Sequence, residues 1–400
     1  MFILSLSENI LVFVAGIGIL QAIFLSCLLI YRAEGDRSVN KFLALHILAL
    51  TLPMVLPVTQ YYFSWQTMIF LEPFLALIAP FLYLYVRAFK EKITWKKAWP
   101  HFVFFVCCIP LAFLDYSIIG SKYPPSTRVP PEAARNFIIL IPISLRLIQR
   151  VTYYFLARRE LRSYQQSIRH VFSDTSRINL NWVNWLINGS LALIFITLVF
   201  YLLMIKYPAY FDWWVLLPGT LVTVYIYIAC IKGISQSTLW QGRAELDQEK
   251  AEAVMAAAEK IDLEYTANEK PGNRKTGMAN DKIDEIGKKI ISLMENDKLY
   301  QEPDLTLQQL ATTLQSSVHH VSYAINGGLK KNFYDLVNGY RVEEAKRLLL
   351  DPHNKNYTIL SVGFGAGFNS KTTFNTVFKK FTGMTPTEFR YQQSQAYQPG

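Results

Sequence analysis

Seven apolar runs, each long enough to cross a bilayer as one helix of about 20 residues, fill the first 236 residues: 9–31, 42–63, 67–89, 100–119, 137–157, 183–205 and 213–231. Only helices satisfy every backbone group within such a run, so the runs predict a helical bundle rather than a sheet. Pro53, Pro57, Pro73, Pro80, Pro110, Pro142 and Pro218 fall inside them. Helices in lipid tolerate proline when neighbours satisfy the freed carbonyls. The fifth run is the weakest, because Arg146, Gln149 and Arg150 interrupt it. Overall, 52% of residues are apolar and 18% charged, against about 25% charged in a typical soluble domain. A disordered chain is excluded, and the skew argues against a wholly soluble one.

The net charge of +10 lies entirely in residues 1–240, with 20 Lys/Arg against 10 Asp/Glu; residues 241–280 carry −2 and 281–400 carry +2. It therefore reads first as a topology signal. Loops 32–41, 87–99 and 158–181 hold 13 Lys/Arg, while 60–66, 120–136 and 206–212 hold 4. Positive loops stay in the cytoplasm, which puts the N-terminus outside and the C-terminus inside after seven crossings. Tyr61, Tyr62, Trp65, Trp213 and Trp214 then mark the outer boundary, and Trp95, Trp99, Trp182 and Trp185 the inner one. Large aromatics packed within a bundle would give the same pattern. No basic residue precedes the first run, so a cleavable signal peptide is not expected.

Polar groups inside spans are functional candidates by default. His46, Glu72, Asp115, Arg146 and Arg150 could form a sensing pocket. The plainer reading places Glu72 and Asp115 near span ends, lets both arginines snorkel to the headgroups, and makes His46 a packing residue. Cys27, Cys107, Cys108 and Cys230 all sit in apolar runs, as small apolar fillers do. No metal-ligand spacing, phosphate loop or nucleophile–base constellation is readable. No enzymatic activity, cofactor or metal is expected.

Residues 237–280 form a linker. Gln241–Lys260 is rich in helix formers, with Leu239, Leu246 and Ala253 seven apart and Val254, Ala257 and Ile261 continuing the stripe. A short coiled coil between two chains and a solvated single helix both fit. Asn268–Gly277, polar with Pro and Gly breakers, reads as a flexible tether.

Residues 281–400 return to a helical period. Ile283, Ile286, Ile290 and Leu293/Met294 share one face. Thr306 with Gln309 fits a capping box, and Leu307, Leu310, Ala311 and Leu314 give the next buried face. After Gln315-Ser316, Ser317 is placed to cap a helix burying Val321, Ala324 and Ile325. Two short helices about a tight turn describe a helix-turn-helix. The pattern repeats after an 18-residue helix, Phe333–Leu350. Ile359, Val362 and Ala366 face inward, Gly367 turns the chain, and Ser370 caps a helix burying Phe374, Val377 and Phe378. A connecting rod of about 27 Å suits two reading heads on successive major-groove faces, about 34 Å apart.

The stretch Gly365–Arg390 (GAGFNSKTTFNTVFKKFTGMTPTEFR) and the helix Tyr340–Leu349 (YRVEEAKRLL) resemble the signature and linker helix of AraC/XylS-family transcription regulators over roughly 283–392. A seven-span module ahead of such a domain resembles membrane-bound regulators of Bacteroidota. Lys330 departs from the family, which usually has Gly there. The resemblance implies an all-α chain: a seven-helix transmembrane domain at 1–236, the 237–280 linker, and an AraC-type DNA-binding domain at 281–400. It implies a multi-pass protein of a bacterial cytoplasmic membrane that binds promoter DNA from the cytoplasmic face. The transmembrane domain would sense an unknown ligand or membrane partner. A domain charge of only +2 gives modest non-specific affinity, favouring two domains as in a homodimer, or confinement at the membrane.

The expected DNA-facing residues are Ser317, His319, His320, Ser322, Tyr323 and Asn326 on the first recognition helix. On the second they are Ser370, Lys371, Thr372, Thr373, Asn375 and Thr376. The two serines, at helix N-termini, suit phosphate contacts, with Lys330, Lys331, Lys379 and Lys380 as further phosphate candidates. Any one of these could be a solvated surface residue. The competing functions are a transporter or membrane receptor whose helical tail binds DNA weakly, and a scaffold whose tail binds protein.

Overall fold

The computed structural model describes residues 6–31, 37–55, 69–121, 137–175, 180–207, 217–229, 231–232 and 280–396. Helices are the only regular elements among them. The chain divides into two compact units, one holding Met1–Arg162 and Leu180–Glu245, the other Ser163–Asn179 and Leu246–Gly400. The expected linker helix and tether lie outside the described residues, as do Tyr61, Tyr62, Trp65, Trp213, Trp214 and Cys230.

In the first unit, α1 (Leu6–Tyr31) and α2 (Arg37–Ala49) are followed by a 3-10 turn at Glu72–Leu77 running into α3 (Ile78–Arg87). Then come α4 (Trp95–Ala98), α5 (Val103–Gly120), α6 (Phe137–Val171), α7 (Asn181–Lys206) and α8 (Leu217–Ala229). Against the seven expected spans, four stretches among the described residues are long and apolar enough to cross a membrane: Val12–Tyr31, Ile69–Arg87, Trp95–Ile118 and Asn181–Leu203. Val39–Val55 and Leu217–Ala229 are apolar but shorter. The fifth expected span is one 35-residue helix, α6, whose polar second half sets it apart. Phe13, Leu20 and Phe195 on the outer faces are 69%, 70% and 64% exposed, an apolar surface that water disfavours.

Inside this unit several of the polar residues find partners. Arg146 does not snorkel: it is buried and forms a salt bridge with Glu72, since one guanidinium and one carboxylate out of water stabilise each other. Gln149 donates to the Ala76 carbonyl at 3.0 Å, and the His46 ring bonds the Ile78 carbonyl at 2.9 Å. Asp115 is also buried rather than at a wet span end. Of the expected inner-boundary tryptophans, Trp95 and Trp99 are exposed. Trp182 packs edge-on against Tyr85, and Trp185 stacks on Tyr225.

The second unit builds two cores on one rod. α9 (Asn280–Glu295), α10 (Leu307–Thr313), α11 (Val318–Tyr323) and the start of α12 (Phe333–Leu350) enclose Ile286, Ile290, Leu310, Ala311, Val321 and Ile325. The other half of α12, with α13 (Ile359–Gly365), α14 (Lys371–Thr382) and α15 (Pro386–Ala396), encloses Val342, Ala345, Val362, Phe374, Val377 and Phe378. Each start is chemically marked. Thr306 and Gln309 form the expected capping box, while Asn332, Thr358 and Ser370 accept from backbone N–H groups three residues on, offsetting orphan donors.

The last turns of α6 belong to this unit too. Ser173 Oγ donates to the Leu305 carbonyl at 2.6 Å, and Asn338 Nδ2 on α12 donates to the Ser173 carbonyl at 2.8 Å. Arg341, fully buried, donates to the carbonyls of Tyr300, Glu302 and Pro303 and to Ser173 Oγ, at 2.7, 2.6, 3.2 and 3.2 Å. Burial pushes this guanidinium down to about 10, with the nearby carboxylates of Asp174 and Asp304 acting the other way, and it stays charged at neutral pH. One arginine on the rod thereby fixes both the approach to the first helix-turn-helix and the end of α6.

Candidate nucleic-acid interface

Two capped helices, α11 and α14, are the second helices of the two helix-turn-helix units. At α11, Ser317 Oγ accepts from the His320 N–H at 3.2 Å. The helix then widens into a π turn over Ala324–Gly328, closed by Leu329 N–H on the Ala324 carbonyl at 3.0 Å. Lys330 follows at φ +52°, the left-handed region where glycine is comfortable and other residues are strained. The departure noted at Lys330 thus falls where the backbone itself calls for glycine. At α14, Ser370 accepts from the Thr373 N–H at 3.0 Å, and Gly383 closes the helix at φ +83°.

Side-chain exposure sorts the expected contact residues. Ser317, His319, Lys371, Thr372 and Thr376 are exposed; His320, Tyr323, Asn326, Ser370 and Asn375 are half-buried. Ser322 and Thr373 are not outward-facing as expected, at 2% and 6% exposure. Ser322 shares a helical row with Val318 and Ile325, which pack into the first core, and its Oγ accepts from Asn326 Nδ2 at 3.3 Å. Thr373 is tied into the cap. Ser370 O–H donates to Thr373 Oγ1 at 2.8 Å, and Thr373 O–H donates to the Asp174 carboxylate at 3.2 Å. These two side chains serve the scaffold, leaving their neighbours to face outward.

The lysines separate by partner. Lys330, Lys331, Lys371, Lys379 and Lys380 are all exposed. Of the five, Lys380 pairs with Asp335 at 2.5 Å and lies over the Tyr334 ring at 5.4 Å. The rod carries its own charge pairs. Arg347 Nε and Nη2 grip Glu344 at 2.9 and 2.8 Å, holding that carboxyl below its usual range chiefly through this hydrogen-bonded fork. Asn369 Nδ2, in the second turn, donates to Asp304 at 2.9 Å, bracing one helix-turn-helix against the approach to the other. Among the described residues, no group of three or more His, Cys, Asp or Glu side chains is placed to hold a metal ion.

Sequence reasoning missed the 163–175 segment, reading it as a basic loop. A signal was there. Ala157, Leu161, Tyr164, Ile168 and Val171 recur at alternating spacings of four and three through polar sequence, and all are buried. That is the stripe of a helix with a packed face.

Residues 310–392 match the family model described as a helix-turn-helix domain. Over 102 residues the chain is 30% identical to an uncharacterized HTH-type transcriptional regulator of Staphylococcus aureus strain COL, a stretch covering 26% of this chain and 13% of the relative. The same identity and coverage hold for uncharacterized HTH-type transcriptional regulators of strains MSSA476 and N315. The chain therefore spans 13% of the length of these curated relatives. No solved structure matches. The match and the paired, capped helices agree that the C-terminal unit carries a helix-turn-helix domain.

Proposed function

We propose that the protein is a membrane-anchored, sequence-specific DNA-binding transcription regulator of the AraC/XylS type, whose N-terminal unit senses the signal. The observation that carries it is the pair of serine-capped helices on one 18-residue rod, each presenting polar side chains to solvent. Lys371, Thr372 and Thr376 on α14, with His319, His320 and Asn326 around α11, are the side chains offered to base edges. Ser317, Ser370, Lys330, Lys331 and Lys379 are offered to phosphates. The relatives' names as transcriptional regulators support the reading. The apolar helices of the first unit and the asymmetric loop charges support a multi-pass anchor in a bacterial cytoplasmic membrane. Seven spans, with the DNA-binding unit in the cytoplasm, satisfy that asymmetry. The partners are promoter DNA, the bilayer and a second copy of the chain.

Chromatin immunoprecipitation of the tagged full-length protein from the membrane fraction tests this reading, and should yield discrete promoter peaks sharing a motif. On that motif Lys371→Ala and Thr376→Ala should each weaken binding by roughly 1–3 kcal/mol where they meet a base, with the melting profile unchanged. Binding indifferent to both substitutions would favour a protein-binding tail.

A further inference from the structure

The polar side chains inside the N-terminal unit are not all balanced by their neighbours. A cavity of about 300 Å³ opens among α2, α3, α6, α7 and α8. Its wall is mostly aliphatic, with Leu82, Leu147, Ile194 and Leu198 among the lining residues. Arg146 and Glu72 reach it as a salt-bridged pair, and Asp115 lies close enough to act on both. Arg146 is thus supplied with carboxylates. Arg150, one turn further along α6, is not. It lines the same cavity, its Nε is buried with no hydrogen-bond partner, and the charge acting on it is that of Arg146, a like charge. Tyr201 brings a buried hydroxyl to the cavity, also without a partner. His46 donates Nδ1–H to the Ile78 carbonyl at 2.9 Å, so its unpartnered Nε2 is a bare acceptor and adds no charge.

A half-buried guanidinium whose Nε is shielded from water beside another cation is costly unless an anion reaches it. The mostly apolar wall excludes a bare inorganic ion as the complete occupant. The volume lies at the small end of ligand pockets, too small for a two-chain lipid. We propose that this cavity binds a small amphipathic monocarboxylate, its carboxylate paired with Arg150 and its hydrocarbon body against the aliphatic wall. The inference deepens the sensor reading above and rests on it for biological meaning, although binding itself does not depend on DNA.

The test uses the full-length chain in phosphatidylcholine nanodiscs, titrated with decanoate, with decan-1-ol as the uncharged control. Decanoate should bind saturably and raise the melting temperature, and decan-1-ol should bind at least tenfold more weakly. Arg150→Gln should weaken decanoate at least tenfold without altering decan-1-ol, and Arg150→Lys should recover part of the loss. Equal binding of acid and alcohol by the wild type would overturn the proposal even if the glutamine variant failed to fold, as would decanoate binding untouched by Arg150→Gln. A second arm uses phosphatidylglycerol nanodiscs. Arg150-dependent stabilisation by that lipid, with decanoate excluded, would assign the site to a lipid headgroup and overturn the free-acid assignment. Footprinting on the motif in the same samples separates the two readings. Decanoate bound with no change in footprint leaves the site and removes the sensor role, whereas no decanoate binding removes the site and leaves the sensor role standing.

Discussion

The two helix-turn-helix turns solve one backbone problem with different residues. Gly367 turns the second at φ +93°, and a Cβ there would meet the Tyr300 carbonyl oxygen at 2.6 Å and Gln301 Cα at 2.7 Å. Both obstacles are backbone and cannot swing aside. Gly367→Ala should therefore cost at least about 2 kcal/mol, combining the left-handed penalty with overpacking. Pulse proteolysis of the full chain in urea, followed at the C-terminal unit, reads this as a lower midpoint. In the first turn Gln315 adopts φ +51° and, past the π turn, Lys330 adopts φ +52°. Lys330→Gly should relieve about 1–2 kcal/mol of strain against a chain-entropy cost of about 0.5–1 kcal/mol. A net gain of up to about 1.5 kcal/mol follows, with weaker DNA binding under the proposed function because a cation offered to phosphate is gone. A lower midpoint for this variant would show that the lysine side chain makes a contact outweighing the strain.

Among the elements, the short segment after α6 reaches the second helix-turn-helix most directly. Asp174 accepts from Thr373 in the first turn of α14 at 3.2 Å, placing a carboxylate where the helix's partial positive charge would otherwise favour a phosphate. Asp174→Asn keeps the shape and removes the charge. Given the typical 0.3–1 kcal/mol for a charge at a helix end, DNA affinity of the full chain should rise by about two- to fivefold in a gel-shift assay. A fall would mean that Asp174 chiefly orients Thr373. Elements with local causes were legible in the sequence: Thr306 with Gln309 announced the start of α10, and Ser317 and Ser370 the starts of α11 and α14. What was not legible depends on distant partners. Thr373 is covered by a residue 199 positions away, and Arg146 finds Glu72 at a separation of 74. A helical wheel sees neither. His46, Glu72, Arg146 and Arg150 stood out as polar residues in apolar runs, but only packing shows which of them lacks a counter-charge.

For the whole molecule, charge is scarce where DNA would bind. The C-terminal 120 residues carry only +2, and Lys380 is engaged by Asp335. If Lys330, Lys331, Lys371 and Lys379 each neutralise one phosphate, the slope of log affinity against log salt should be roughly −3.6 per bound domain, from about 0.9 per phosphate. A slope steeper than about −6 for one domain would show basic contacts beyond those named. Under the proposed function, weak non-specific attraction of this kind leaves discrimination to base contacts, to a second copy, and to the raised local concentration of a tethered site. The division of the chain also bears on how such proteins are reshuffled in evolution. Ser173 and Asp174, encoded well upstream of the helix-turn-helix, complete the cage around Arg341 and the cap of α14. A recombination crossover in the 237–280 region would transplant the reading heads without that wall. A viable chimera must carry 163–175 along or find a substitute, so the two halves of the chain are inherited together.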